Sequence, residues 1–191
     1  VAEENSYYVV SDTSYEGYTD IPKDVMQGYT IMVDETMKQM KETPTHVFLQ
    51  GGVGGFPAAT VSFLVESLDC PPIFVIVEPA NADCLFQSAV NGEPTVVHGD
   101  LDTVMAGLAC GEVSLLAWSI LETYVPHFMT IKDDSISKTM KLLANRQMPI
   151  VAGESAVAGL AGFLIASHDS SLKEALKLDE NSRILVFGTE G

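Results

Sequence analysis

Basic residues are scarce in this chain. Ten Lys and Arg stand against 26 Asp and Glu in 191 residues, a formal net charge of −16. A surface of that sign repels phosphate backbones and anionic lipid headgroups, which argues against nucleic-acid and membrane partners. The plainer consequence of the acidity is solubility. Cysteine is also sparse: three residues, Cys70, Cys84 and Cys110, stand far apart. An odd count at that spacing argues against a disulfide framework or a zinc site, and free thiols buried in a reducing cytosol are the expectation. The four histidines (His46, His98, His127 and His168) do not cluster, so surface or satisfied core positions are expected of them rather than metal ligation. No apolar run reaches the ~18 to 20 residues that span a bilayer. The first eight residues carry two Glu and no basic start, so no signal peptide is expected. A GxSxG elbow is missing, as is the Lys-Ser/Thr pair of a nucleotide P-loop.

What is present is an alternation of strand and helix. Short segments rich in β-branched and aromatic residues predict strands over 7–10, 46–49, 73–77, 127–130 and 183–187. Helical spacing runs between them, over 56–68, 83–90, 114–124, 136–145, 155–166 and 172–176, with a first helix from Pro22 to about Lys41. Such alternation predicts an α/β fold with a mostly parallel sheet flanked by helices. The segments 46–49, 73–77 and 183–187 are apolar nearly throughout, as buried parallel strands are. The one candidate break lies near 41–44, where a polar helix gives way to an apolar strand. The chain starts almost inside a predicted strand and stops just after another, so a piece of a longer protein is expected.

The strand at 46–49 runs straight into Gln50-Gly51-Gly52-Val53-Gly54-Gly55, and a helix follows. Glycines there free the backbone to present N–H groups to an anion at the helix N-terminus. The competing reading is a tight turn that lets helix and sheet pack closely. The dinucleotide fingerprint fails, because Pro57 stands where its third glycine belongs. Several acids are placed to matter. Asp12 follows the predicted strand 7–10 and is either a base at a strand end or a turn residue of Ser11-Asp12-Thr13-Ser14. Glu78 ends a strand and is either a loop acid or a contact to a cofactor or metal. Glu154 precedes an Ala- and Gly-rich helix and either caps it or faces a cofactor ring. Thr189, after the last strand, offers a hydroxyl that can donate to a ring nitrogen, or simply ends the strand.

Taken together, these segments resemble the fold-type II pyridoxal phosphate enzymes, and among them the diaminopropionate ammonia-lyases. The resemblance is carried by THVFLQGGVGG (45–55), SDTSYEGYTDIPKDVMQGYT (11–30), VEPANADC (77–84), MAGLACGE (105–112), AGESAVAGL (152–160) and VFGTEG (186–191), in the family's order. It implies α,β-elimination of ammonia from 2,3-diaminopropionate to pyruvate and ammonia, with pyridoxal phosphate as cofactor. Related readings are a serine or threonine dehydratase, and a non-catalytic homologue that binds a phosphate ligand or a partner. By position, Gly51, Gly52, Val53, Gly54 and Gly55 would cup the phosphate. Asp12 would act as base at Cα or hold the substrate amine, Glu154 would lie near the ring, and Thr189 near the pyridine nitrogen. Gly188 stands where relatives often carry Ser. Glu78 matches an acid that binds a divalent cation in some relatives, but the partner position six residues on is Cys84, so no metal is expected. Cys84 and Cys110 both fall in family motifs, which leaves a disulfide between them open. The family's cofactor-binding Lys belongs to an N-terminal half, and no lysine here lies in such a segment. The resemblance therefore implies a C-terminal portion, with 1–42 a remnant of the smaller domain and 43–191 the end of the large cofactor domain. A small amino-acid substrate, the missing half as partner, a cytoplasmic location and a homodimer when full length are expected with it.

Overall fold

The protein is described by a computed structural model at Glu4, Asn5, Tyr7 and residues 9–190. Its sheet has four strands: β1 (His46–Gln50), β2 (Ile73–Pro79), β3 (His127–Ile131) and β4 (Ile184–Val186), in the order β3-β2-β1-β4. Every pairing is parallel, with Gln50 opposite Val77 and Phe48 opposite Val186. The helices are α1 (Asp20–Gln39), α2 (Gly55–Ser67), α3 (Cys84–Asn91), α4 (Leu115–Tyr124), α5 (Asp134–Ala144), α6 (Ala158–His168) and α7 (Ser170–Ala175), with a 3-10 turn at Ala106–Leu108. Among the described residues, no helix is long and apolar enough to cross a membrane.

The two-residue period of the strands sorts the core into two layers. Val47, Leu49, Phe74 and Ile76 face a cluster built with Met26 and Val33 of α1, Ala58, Val61 and Leu64 of α2, and Trp118 and Leu121 of α4. Phe48, Val75 and Val77 face the other side and meet Ile136 of α5 and Ala158 and Ala161 of α6. Both faces of β1 and β2 are therefore covered, which is why those strands read as apolar throughout. Helix α6 lies very close to the sheet: a Cβ on Gly159 would sit 2.6 Å from the Phe48 carbonyl oxygen.

Three expectations need correction. Residues 7–10 form no strand where they are described: Tyr7, Val9 and Val10 are irregular and exposed, and Tyr8 lies outside the described residues. Their β-branched character has no neighbouring strand to pair with, and propensity without a partner does not make a strand. The helix predicted from 155 begins at Ala158, because 154–157 form a turn. The last strand shortens to Ile184–Val186, since the backbone at Phe187 and beyond leaves the ladder.

Candidate functional site

The glycine run divides into two jobs. Gly51 continues the sheet, its N–H donating to Val77 O at 2.9 Å. A Cβ there would sit 2.8 Å from Ile76 Cγ2 and 2.9 Å from Glu78 Cγ, so this glycine serves packing and its N–H is not free to cup an anion. Gly54, the N-cap of α2, takes φ +101°, a left-handed conformation that glycine adopts without strain. Among the described residues, the N–H groups of Gly52, Gly54, Gly55 and Phe56 meet no acceptor. They are the orphan donors of a helix start, and they carry the positive end of the α2 dipole. Gly51 thus serves close packing, while the amides from Gly52 on face no acceptor among the described residues.

These donors wall a cavity of about 290 Å³ that is also lined by Asp12, Gln50, Ser155 and Thr189. That volume is near the lower end for small-molecule sites, roughly 300 to 1,000 Å³. Tyr29 and Phe56 close one side, their rings edge to face at 5.4 Å, and Phe56 continues onto Phe187 at 5.6 Å. Among the described residues no Lys or Arg lines the cavity, so an anion there would be held by backbone amides rather than by a cationic side chain.

Asp12 is exposed at the cavity's edge, held by a buried anchor two residues on rather than by a strand. Ser14 Oγ accepts from Leu116 N at 2.7 Å and lies 2.8 Å from Ser114 Oγ, while Ser14 N donates to Ser114 Oγ at 3.0 Å. Ser114 N in turn donates to Val53 O at 2.8 Å, which ties the Asp12 segment to the glycine loop through the start of α4. On the other flank, the rings of Tyr15 and Tyr18 stack at 4.9 Å, and Ser11 N donates to Tyr18 Oη at 2.9 Å. Ser14→Ala removes a buried hydroxyl and orphans Leu116 N. The expected loss is about 2 kcal/mol, read as a lower urea midpoint at unchanged slope.

At the far wall, Thr189 lines the cavity, and its Oγ1 accepts from Gln50 Nε2 at 3.0 Å. Glu154 is exposed, does not line the cavity and does not cap α6, whose N-cap position is Val157. The neighbouring residue lines it instead: Ser155 is buried and its Oγ accepts from Gly107 N at 3.0 Å. Glu190 braces the same turn, its Oε2 accepting from Ser155 N at 3.1 Å and Ala156 N at 3.3 Å. Gln50, Ser155, Gly107 and Glu190 carry no local sequence signal of their own, although each lies inside a segment that carries the family resemblance. A motif marks a neighbourhood; which of two adjacent side chains turns inward depends on the backbone of the turn.

Glu78 is not a loop acid. It is fully buried at the end of β2 and closes the N-terminus of α3, accepting from Leu85 N at 3.0 Å and Phe86 N at 2.7 Å. Burial pushes its carboxyl up to about 8, against the opposing pull of those two N–H groups. Among the described residues, no group of three or more His, Cys, Asp or Glu is arranged to hold a metal ion. All three cysteines are free: Cys84 buried, Cys110 half-buried and Cys70 exposed. Burial raises the Cys84 and Cys110 thiols, and nearby Glu78 and, for Cys110, Asp12 add to it, so both stay protonated and weakly nucleophilic.

Known proteins similar to this chain match it over its whole length. Diaminopropionate ammonia-lyase of Escherichia coli (strain K12) is 41% identical over 201 residues, which cover 100% of this chain and 50% of that protein. The Salmonella typhimurium diaminopropionate ammonia-lyase is 36% identical over 205 residues, covering 100% of this chain and 51% of its own length. A crystal structure of the Escherichia coli enzyme with an aminoacrylate-PLP azomethine reaction intermediate superimposes with a TM-score of 0.88 at 38% identity, covering 100% of this chain and 51% of that one. The chain thus spans about half the length of the curated relatives it matches. The model of the family described as "Pyridoxal-phosphate dependent enzyme" matches residues 1–190, and the chain belongs to that family.

Proposed function

We propose that this chain is the C-terminal part of a pyridoxal phosphate-dependent ammonia-lyase that removes ammonia from 2,3-diaminopropionate to give pyruvate and ammonia. The observation that carries the reading is the cavity itself, with unpaired α2 amides on one wall and the Thr189 hydroxyl on another. The cofactor fits that donor set: a phosphate needs several N–H donors and no bulk, and an aromatic ring with a lone-pair nitrogen needs a hydroxyl. Pyridoxal phosphate, when bound, supplies the electron sink that makes the substrate Cα proton acidic.

The chain's own residues supply the rest. Gly52, Gly54 and Gly55 donate to the phosphate, Val53 shapes the loop between them, and Gly51 packs the loop onto the sheet. Asp12 accepts the Cα proton or holds the substrate amine at the cavity edge. Thr189 meets the ring nitrogen. Ser155, rather than Glu154, forms the wall beside the ring, with Glu190 bracing it. No lysine lines the cavity among the described residues, so this chain by itself would hold the cofactor without a covalent bond. We also propose that residues 1–42 are the remnant of the smaller domain and 43–191 the end of the large one, with α1 leaning on α2 at the seam. A cytoplasmic location, a homodimeric full-length protein and an N-terminal half carrying the anchoring Lys complete the reading.

The decisive experiment expresses the full-length gene product and measures pyruvate release from 2,3-diaminopropionate, serine and threonine. Preference for the diamine by tenfold or more in kcat/KM is expected. A preference for serine or threonine would replace the ammonia-lyase by a dehydratase, and no turnover of any of them would favour a binding role.

A further inference from the structure

A second cavity, of about 300 Å³, lies beside the start of β3 and shares no lining residue with the cavity at the glycine loop. Two helices end on it. Gly92, the C-cap of α3, and Val125, the C-cap of α4, both line it. The last carbonyls of these helices, at 89–91 and 122–124, meet no donor among the described residues. The negative ends of two helix dipoles therefore come together at this cavity. Glu122 adds a carboxylate to its rim. Trp118 and Phe128 supply an aromatic wall, with ring centroids 6.2 Å apart and planes tilted by 45°. The faces of such rings are the negative parts of their quadrupoles. Every one of these features favours positive charge, yet among the described residues no Lys, Arg or His lines the cavity. No Lys or Arg occurs anywhere between Lys41 and Lys132. Trp118 is 4% exposed, and its buried indole N–H has no acceptor, so packing alone holds the ring.

We propose that this cavity binds a small organic ammonium ion, its charge among Glu122, the helix-end carbonyls and the two ring faces, and its alkyl part against Trp118 and Phe128. Each of these attractions is weak in an open cavity, and their sum gives an affinity in the millimolar range. A hard divalent metal ion fits less well, because it needs several oxygen ligands and only one carboxylate lines the cavity. Aromatic faces suit a larger, weakly hydrated cation. The competing account is a solvated dimple where two helices happen to end. Such a dimple would take up apolar molecules without regard to charge. The inference stands apart from the cofactor reading, since neither the glycine loop nor any residue of its cavity takes part.

Trp118 is the sole tryptophan of the 191-residue chain, so its indole N–H gives one nitrogen-15 NMR cross-peak that reports on this wall alone. Butylammonium chloride, exchanged for potassium chloride at fixed ionic strength, should move that peak along a saturating curve in the millimolar range. Neutral butanol should move it less, with no saturation over the same range. Glu122→Gln should raise the half-saturation concentration by about threefold to fivefold, the size expected of one exposed charge. Glu122 is exposed, so that variant keeps the fold. A peak that stays still or drifts linearly, an equal response to butanol, or an unchanged half-saturation in Glu122→Gln would each overturn the proposal.

Discussion

Glu78→Ala is expected to cost about 3–5 kcal/mol, the largest loss of stability from a single substitution considered for this protein. The side chain has no exposed surface, and its carboxyl closes the start of α3 by accepting from Leu85 N and Phe86 N. Truncation leaves both N–H groups buried without an acceptor, at about 1–2 kcal/mol each, and opens a cavity beside Gly51 and Ile76. Chemical denaturation at one pH measures it; a loss under 1 kcal/mol would mean that α3 finds another cap. The same residue predicts a pH dependence. Its carboxyl releases a proton near pH 8 in the folded chain and near 4.5 in the unfolded one. The raised folded value makes its contribution full below about pH 4.5 and progressively lost as pH rises toward 8, by at most about 1.4 kcal/mol per unit. Glu78→Gln removes that titration. The variant should lie well below the parent at pH 5 and approach it by pH 8. A gap that widens with pH would show that the carboxylate, not the acid, is the form held at the α3 terminus.

Gly54→Ala should damage both fold and site. At φ +101° an L side chain is strained, by roughly 1–2 kcal/mol. The added Cβ would also lie 3.1 Å from Ala117 Cβ and 3.2 Å from Leu121 Cδ1 and Leu85 Cδ2. All three neighbours are fully buried, so they cannot yield cheaply. We expect about 2–4 kcal/mol lost, together with at least a tenfold weaker affinity for pyridoxal phosphate, because the loop amides lose their common direction. Gly28→Ala is the contrast. It lies in α1 at ordinary φ with nothing within 4 Å of the new Cβ, so it should stabilise by about 0.5–1 kcal/mol and leave binding alone. Thermal denaturation and calorimetric titration with pyridoxal phosphate read both. Equal behaviour of the two variants would remove Gly54 from the site.

All four strands of the sheet could be recognised from local pattern. His46–Gln50 and Ile73–Pro79 are apolar on both faces, and a fully covered parallel strand needs just that. The segment 7–10 carried a similar pattern and failed, because a strand also needs a neighbour, and pairing is not written in the segment itself. The site divides the same way. The run Gly51 to Gly55 announces a loop that must bend and crowd. Its division into a packing glycine and a group of free donors follows from Ile76, Glu78 and Leu85, residues 25 or more positions away that only folding brings against it. Glu154 and Ser155 differ by one position, and the turn before α6 sends Ser155 into the cavity and leaves Glu154 in solvent.

By itself, then, the sequence determined what short-range chemistry can encode: the alternating elements, the buried strands, the acidic surface, the glycine loop and the family. The tertiary structure alone decided which groups converge. Ser14 meets Ser114 across 100 positions, and Gln50 meets Thr189 across 139. Contacts at that separation depend on strand order and helix placement, which come from burying both sheet faces at once rather than from any local residue pattern.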